Sequence, residues 1–312
     1  MRKSLNKGRI PKIHSQKSDN KKIVITGGTG FIGSHLLKRL SKGNFRIVVL
    51  TRSTNRKRDT KNIRFIKCDI SKSDISKFIK NADYIFHLAA TKPQDADITI
   101  PEYLDNIKIS TKIALANRNA KIIFASTNNV YGIPTRIPIR EEDEAKPREL
   151  YGLSKLLSEI TLDFFSRKRG WPLVILRIAN VYGPESKRKG GVLLNFFTRL
   201  RENKPLEIYG DGLQKRDRVW ITDVVNALVL AMKTKTNGIF NIGSGKGSST
   251  IEVAQIMAKL LNKKPRFIFK RSKKTKNIVL DITKARRVLT YRPKITFEKG
   301  LKLLLQQWLL KT

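Results

Sequence analysis

Cysteine, acidic residues and long apolar runs are all scarce in this sequence, and each scarcity narrows the class of protein. The only cysteine, Cys68, cannot form an internal disulfide, and a thiol without histidine and cysteine neighbours provides neither a zinc site nor a redox pair. No apolar run approaches the roughly 18 residues that span a bilayer. We therefore expect a cytoplasmic protein with no metal site and no membrane partner.

Acidic residues are outnumbered by basic ones, with 65 Lys and Arg against 25 Asp and Glu and a net charge of +40. The basic residues are spread over every segment, which favours a lysine-rich bias of composition. The alternative is a surface for nucleic acid or acidic lipid, because clustered cations release counterions from a polyanion. We expect any binding of nucleic acid to be non-specific.

The N-terminal segment, residues 1–20, is rich in Lys and Arg and contains one acidic residue, Asp19. It has no apolar core of the kind that a secretion signal requires, and its sparse arginine disfavours an organelle transit peptide. We expect this segment to form a disordered basic tail.

The length of 312 residues suits one large α/β domain with a smaller lobe. Short apolar runs alternate with helical patterns as far as about residue 182, and this alternation predicts a doubly wound parallel sheet. The apolar runs lie at 22–26, 47–50, 63–66, 84–88, 122–125 and 173–178.

Four glycines, Gly27, Gly28, Gly30 and Gly33, follow the first apolar run and precede an amphipathic segment, so the order is strand, glycine turn, helix. The spacing Gly27-x-x-Gly30-x-x-Gly33 lets the backbone turn tightly, lets a pyrophosphate approach and lets the helix pack closely on its strand. The helix N-terminus adds amide donors and a positive dipole. This context favours a dinucleotide site that includes Phe31 and Ile32 over a mere glycine-rich turn.

These features predict a Rossmann-type doubly wound parallel sheet with a smaller, mainly C-terminal substrate lobe. We expect the dinucleotide-binding domain to cover 21–182, with 219–243 returning to it. The pattern is less regular after Gly183 and Pro184, so we expect 183–312 to form mainly the substrate-binding lobe.

The segment from Thr26 to His35 (TGGTGFIGSH) resembles the opening of the extended short-chain dehydrogenase/reductase family, the NAD-dependent epimerases and dehydratases typified by UDP-glucose 4-epimerase. The resemblance continues over nearly the whole chain. It implies an enzyme that binds NAD(P) and acts on a nucleotide sugar, in which His87 shapes a loop rather than acting as an acid or base. The other implied cofactor contacts are Asp69 and Ile70 beside the adenine, Leu88, Ala89 and Ala90 in the loop beside the cofactor, and Asn106, which stabilises a helix.

The end of the second predicted strand carries Thr51 and Arg52, where NAD enzymes of this family place an acid against the adenosine ribose. The 2′-hydroxyl of NAD would lose that partner. A 2′-phosphate would instead meet Arg52 and the cations of 56–58, so NADP is slightly favoured over NAD.

The catalytic pattern is a strand end carrying Thr127, followed by Tyr151 and Lys155 on a helix. Tyr151 and Lys155 are i and i+4 and share one helix face. A cationic Lys155 would lower the pKa of Tyr151 from about 10, which makes the phenol a usable acid and base. In the family the matching threonine, tyrosine and lysine carry the hydride-transfer chemistry, and the lysine also holds the nicotinamide ribose.

The two residues after Thr127 are Asn128 and Asn129, where the 4,6-dehydratases of the family carry an Asp-Glu pair. Elimination of water would lose its acid and base, whereas redox epimerisation needs neither. We expect a nucleotide-sugar 4-epimerase. The alternatives are an NADP-dependent sugar or carbonyl reductase and an RNA-binding protein on the same fold.

The substrate contacts implied by the resemblance are Asn180 and Arg216, both facing the diphosphate of a nucleotide sugar. The guanidinium of Arg216 matches phosphate oxygens well. Arg271 lies ten residues before Asp281, where relatives carry Arg-x-Gly-Asp, but the chain has other residues in place of that Gly-Asp. A contact from Arg271 stays open for that reason. The family's four-helix contact implies a homodimer.

Overall fold

The computed structural model describes residues 20–53, 59–92, 97–186, 191–271 and 277–310. The predicted basic tail lies outside the described residues except for Asn20. The cations of 56–58 and the residues at 273 and 274 also lie outside them.

The strands are short and rich in β-branched and aromatic residues, as the sequence pattern predicts. In chain order they are β1 (Lys21–Thr26), β2 (Phe45–Thr51), β3 (Ile63–Lys67), β4 (Tyr84–His87), β5 (Lys121–Thr127), β6 (Leu173–Ile178), β7 (Asn180–Tyr182), β8 (Leu206–Tyr209), β9 (Arg216–Trp220), β10 (Gly238–Ile242), β11 (Gly247–Ser248) and β12 (Phe267–Lys270).

Two of the longer helices start at capping boxes, in which Thr99 pairs with Glu102 and Ser249 with Glu252. The helices are α1 (Phe31–Leu40), α2 (Ser76–Ile79), α3 (Ile100–Ala116), α4 (Leu150–Arg169), α5 (Val192–Arg201), α6 (Ile221–Lys233), α7 (Thr250–Leu260), α8 (Thr283–Val288) and α9 (Phe297–Leu309). A 3₁₀ turn at Asn128–Tyr131 follows β5 directly.

The main sheet has seven strands in the order β10-β6-β5-β4-β1-β2-β3, and every neighbouring pair is parallel. Helices cover both faces, with α3 and α4 packed together and α6 packed on α1. Because both faces are covered, a strand such as β6 is buried at every residue. The predicted Rossmann-type sheet is confirmed.

The chain order reverses between β1 and β4, where the crossovers leave in opposite directions. In open parallel sheets, ligands bind at such a switch point beyond the carboxyl ends of the strands. The glycine turn after β1 and the loop after β4 both lie there. The topology therefore places the predicted cofactor residues at one edge of the sheet.

A smaller group of elements follows β6. A three-stranded sheet has the order β11-β9-β7, and β8 pairs in parallel with β12. Its core includes Phe196, Leu206, Met257 and Leu301. Helix α6 and strand β10 lie with the main sheet, while α5, β8, α7 and α9 build the core of the smaller group.

Two features are absent from the described residues. No helix among them is long and apolar enough to cross a bilayer. No group of three or more His, Cys, Asp and Glu side chains within those ranges could hold a metal ion.

Candidate active site

The glycine turn after β1 leaves no room for side chains at two of its positions. Gly27 has φ +71, and a Cβ there would lie 2.7 Å from the amide nitrogen of Ala89. A Cβ on Gly33 would overlap the carbonyl oxygen of Gly27. Phe31 and Ile32 then open α1, and no side chain caps its first amides. This cradle of backbone with free amide donors fits the pyrophosphate of a dinucleotide.

The far end of the cradle is formed after β2 and β3. Thr51 is buried, with its hydroxyl 3.2 Å from that of Thr29, while Arg52 is exposed. Burial opposes ionisation of Asp69, but hydrogen bonds from Ser71 and the charges of Lys72 and Arg52 leave its pKa below the usual value. Ile70 is buried beside it. Arg52 and Asp69 are thus close enough to interact electrostatically.

The loop after β4 is held by the buried imidazole of His87. Its Nδ1 lies 2.9 Å from Oγ1 of Thr26, which also accepts the amide of Ala89 at 3.2 Å. Its Nε2 lies 3.0 Å from the hydroxyl of Ser110, which donates to the carbonyl of Asn106. Ser110 therefore accepts from Nε2, and Nδ1 accepts from Thr26. Burial, then Lys155, holds the pKa of His87 well below its usual value, so the ring is neutral and supports the loop.

Asn106 on α3 joins this loop to α4. Its amide group accepts from the backbone of Thr91 at 2.8 Å and donates to the carbonyl of Thr91 at 2.9 Å. It also donates to the hydroxyl of Ser154 at 3.2 Å, and that hydroxyl donates to the carbonyl of Tyr151. The segment containing Leu88, Ala89 and Ala90 is in this way fixed relative to the helix that carries Tyr151.

The end of β5, which carries Thr127, packs against α4, which carries Tyr151 and Lys155. The hydroxyl of Thr127 accepts the amide of Asn129 at 3.3 Å and so starts the 3₁₀ turn. Lys155 is 2% exposed, and its Nζ lies 4.0 Å from the ring centroid of Phe124 on β5. Among the described residues, no group accepts a hydrogen bond from Nζ. A buried ammonium without an acceptor fits a site that receives polar ligand groups such as ribose hydroxyls.

The electrostatics of this pair differ from the expectation for Tyr151. Burial raises the pKa of Tyr151 to about 12, with no lowering by Lys155. Burial also lowers the pKa of Lys155 to about 7, although the charge of Glu159 opposes this. Burial disfavours the charged form of both side chains, the phenolate and the ammonium, so the pKa of Tyr151 rises and that of Lys155 falls.

Two features of the site were not predicted from the sequence. The carboxylate of Asp97 accepts the backbone amides of Leu150 and Tyr151, so a residue remote in sequence caps α4 beside Tyr151. Glu159, buried one turn beyond Lys155, pairs with Arg177 at 2.8 Å and accepts from the hydroxyl of Ser126. The i, i+4 continuation from Lys155 to Glu159 could have indicated the second feature.

The other predicted substrate residues, Asn180, Arg216 and Arg271, follow α4 in the chain. Asn180 is exposed on β7, and Arg216 starts β9. Burial lowers the pKa of Arg216 and the charge of Glu149, the residue before α4, raises it, which places Arg216 near the Tyr151 end of α4. Arg271 is exposed just after β12 and makes no hydrogen bond or ion pair with the described residues. The structure does not bring Arg271 into contact with the other two through such bonds.

Comparison with known proteins adds a family and close relatives. A model of the NAD dependent epimerase/dehydratase family matches residues 23–243. The UDP-N-acetyl-alpha-D-glucosaminuronate decarboxylase of Bacillus cytotoxicus is 33% identical over 310 residues, covering 90% of this chain and 96% of the relative.

Two solved structures have the same fold over almost their full lengths. UDP-glucose 4-epimerase of Thermotoga maritima with UDP-glucose has a TM-score of 0.81 and 31% identity, covering 93% of this chain and 99% of that one. UDP-glucuronic acid 4-epimerase of Bacillus cereus, in complex with UDP-glucuronic acid and NAD, has a TM-score of 0.84 and 28% identity, covering 93% and 100%.

Proposed function

The chain belongs to the NAD-dependent epimerase/dehydratase family of extended short-chain dehydrogenase/reductase enzymes, and on that premise we propose that it is a nucleotide-sugar 4-epimerase. The observation that carries the proposal is a site with Thr127, Tyr151 and Lys155 but with amides at Asn128 and Asn129. Dehydration needs an acid and a base beside the tyrosine. Decarboxylation of a 4-keto uronic acid leaves an enol whose ring carbon must be protonated, and an amide supplies no such proton.

In the proposed reaction Tyr151 removes the proton of the sugar 4-hydroxyl and later returns it. Thr127 hydrogen-bonds the same oxygen, and Lys155 stabilises the phenolate while it carries the charge. A bound nicotinamide dinucleotide would supply the redox chemistry, as acceptor and then donor of the C4 hydride. The 4-keto sugar turns over between these events, so hydride returns to its other face.

The residues proposed to hold the cofactor follow the order of the sheet edge. Gly27, Gly30, Phe31, Ile32 and Gly33 bind the pyrophosphate, Asp69 and Ile70 the adenine, Thr51 and Arg52 the adenosine ribose, and Leu88, Ala89, Ala90, Asn106, Tyr151 and Lys155 the nicotinamide half. The Bacillus cereus neighbour contains NAD. The slight preference for NADP rests on the exposed cation Arg52 and stays a prediction.

The proposed substrate is a nucleotide-diphosphate sugar, whose diphosphate would be held by Asn180, Arg216 and Arg271 while the sugar turns. The named relatives act on or bind UDP-sugars, including uronic acids. Residues 21–182 with 219–243 would form the dinucleotide-binding domain, and 183–312 mainly the substrate lobe.

We propose a homodimer built on α3 and α4, as the family's four-helix contact implies. The two helices pack together and leave apolar side chains exposed one turn apart, Ile160 and Phe164 on α4 and Ile100 and Leu104 on α3. A second copy of the same pair would cover both stripes. Cytoplasmic location and non-specific binding of nucleic acid stay predictions.

Native mass spectrometry of the purified protein tests the proposed function. We expect one bound dinucleotide per chain, which denaturation releases for identification. In a separate assay of activity, we expect interconversion of 4-epimers without net consumption of cofactor. Stoichiometric oxidation of added NADPH would instead indicate the reductase. Release of carbon dioxide from UDP-glucuronic acid would indicate a decarboxylase.

A further inference from the structure

Strand β9 carries two arginines, Arg216 and Arg218, on one face, separated by an aspartate on the other. Asp217 is fully buried, and its carboxylate accepts the amide of Ser244 at 2.8 Å and that of Gly245 at 3.2 Å. Successive side chains of a strand point to opposite faces, so this carboxylate is turned away from both guanidinium groups. The carboxylate of Asp217, which is the negative charge nearest in sequence, therefore binds the loop at Ser244 and Gly245.

Arg218 has only neutral partners among the described residues. Its Nη1 donates to the carbonyl of Ser248 at 2.7 Å and to the hydroxyl of Ser248 at 3.0 Å, and lies 3.4 Å from the carbonyl of Arg216. The guanidinium carbon lies 5.5 Å from the ring centroid of Phe297. No described residue accepts from Nε or Nη2. The three N–H groups on these two nitrogens therefore have no partner in the described parts of the chain.

Burial and a neighbouring cation make the charged form of Arg218 less favourable. The residue is 9% exposed, and burial, followed by the charge of Arg216, lowers its pKa to about 10, although Tyr182 and the carboxylates of Asp217 and Glu252 oppose this shift. It remains a cation at neutral pH. A buried cation beside a second one is unfavourable unless an anion joins them, and no described carboxylate forms an ion pair with Arg218.

The position of Arg218 links it to the proposed diphosphate residues. On β7 its register partner is Asn180, and on β11 the register partner of Arg216 is Ser248. Because Arg218 bonds Ser248, its side chain runs back along β9 towards Arg216. Its guanidinium therefore lies on the strip of sheet that also carries Asn180 and Arg216.

We propose that Arg218 is a second guanidinium of the diphosphate site, which donates through Nε and Nη2 to phosphate oxygen of a nucleoside diphosphate. The proposal rests on the proposed function, because that function identifies Arg216 and Asn180 as diphosphate contacts. Arginine suits this role better than lysine, since its planar fork matches two phosphate oxygens at once.

Isothermal titration with UDP, without sugar or turnover, tests the proposal. Arg218→Met keeps the length of the side chain and removes the charge, and we expect it to raise the Kd for UDP about 10-fold or more, the scale of a lost charge-assisted hydrogen bond. Arg218→Lys keeps the charge without the fork, so its Kd should lie between those of the wild type and Arg218→Met.

Arg169→Met is the matched control. Arg169 also donates through Nη1 to backbone carbonyls, those of Leu115 and Asn117 among them, and its guanidinium carbon lies 5.2 Å from the ring centroid of Phe165. Arg169→Met therefore loses the same kinds of contact as Arg218→Met, to backbone carbonyls and to a phenylalanine ring, at a place remote from β9. We expect its Kd for UDP to stay within about twofold of wild type.

The outcomes separate this proposal from the proposed function. An epimerase in which Arg218→Met and Arg218→Lys both bind UDP like the wild type would overturn the role of Arg218 alone. Weaker binding in the variants of a protein that epimerises no nucleotide sugar would support Arg218 and contradict the epimerase. A wild type that does not bind UDP would contradict both. If Arg218→Met fails to fold, the Kd of Arg218→Lys decides.

Discussion

Replacing Tyr151 with phenylalanine removes a single hydroxyl from the site. Among the described residues this hydroxyl has no hydrogen-bond partner, so its loss leaves no buried group unsatisfied. We therefore expect the free energy of unfolding of Tyr151→Phe to equal that of the wild type. The bound dinucleotide should also be retained, because the glycine turn after β1 and the loop after β4 are unchanged.

The effect on turnover should be large. A positioned general acid and base contributes about 10²-fold to 10⁴-fold in rate, which corresponds to about 2.7 to 5.5 kcal/mol of activation free energy. Burial raises the pKa of Tyr151 to about 12, so the phenol can remove the 4-hydroxyl proton only where the charge of Lys155 stabilises the phenolate. Phenylalanine can neither accept nor return that proton.

Tyr131→Phe is the matched control, because it removes the same atom from a buried tyrosine in the 3₁₀ turn that packs on α4. The hydroxyl of Tyr131 donates to Oδ1 of Asn241 at 2.7 Å, and the ring is 1% exposed. Its loss leaves Asn241 short of a donor, which costs about 1 to 3 kcal/mol of stability. Turnover should change little, so the two variants should show opposite patterns of stability and rate.

The assay measures interconversion of UDP-sugar 4-epimers beside chemical denaturation of each variant. A rate for Tyr151→Phe within about threefold of wild type would refute the assignment of Tyr151 as acid and base. A lower rate accompanied by loss of the bound dinucleotide would refute the claim that its hydroxyl acts only in the reaction.

Three further predictions follow from charge and exposure. Arg52→Asp should shift cofactor preference from NADP towards NAD, measured as the ratio of Kd values in the apoprotein, and a wild type that already prefers NAD would contradict the NADP assignment. The pKa of His87 in the folded protein lies well below the usual value of 6.5, so the unfolded chain binds more protons below that pH and stability falls there, by up to about 1.4 kcal/mol per pH unit. His87→Gln should flatten that slope in urea titrations, and an unchanged slope would place its origin elsewhere. Ile160→Glu with Phe164→Glu should convert a dimer to monomers in sedimentation, and a variant that stays dimeric would exclude α4 as the contact.

Local patterns carried most of what could be predicted from the sequence. The apolar runs gave the strands of the parallel sheet, because strands covered on both faces need continuous apolar residues. The spacing of Gly27, Gly30 and Gly33 indicated the cradle, since each position meets backbone at close range. Tyr151 and Lys155 share a helix face for the same local reason.

What could not be predicted depends on contacts between distant segments. Asp97 caps α4 from 53 residues away, and no pattern near Asp97 indicates that partner. The pKa of Tyr151 follows its burial, which a sequence motif does not reveal, and so the expected lowering by Lys155 was wrong for the site without ligands. The proposed role of Arg218 depends on the direction in which the carboxylate of Asp217 points. That direction is fixed by its hydrogen bonds to the loop around Ser244, which is distant in sequence.

The central claim is that hydride passes from C4 of the sugar to one bound dinucleotide and returns from it to the same carbon. The direct measurement follows UDP-hexose labelled with deuterium at C4, incubated with the purified protein in ordinary water and no added cofactor. The account predicts 4-epimer product that keeps the deuterium at C4, with the nicotinamide unchanged after many turnovers. Deuterium lost to water, or product formed only while added cofactor is consumed, would contradict it.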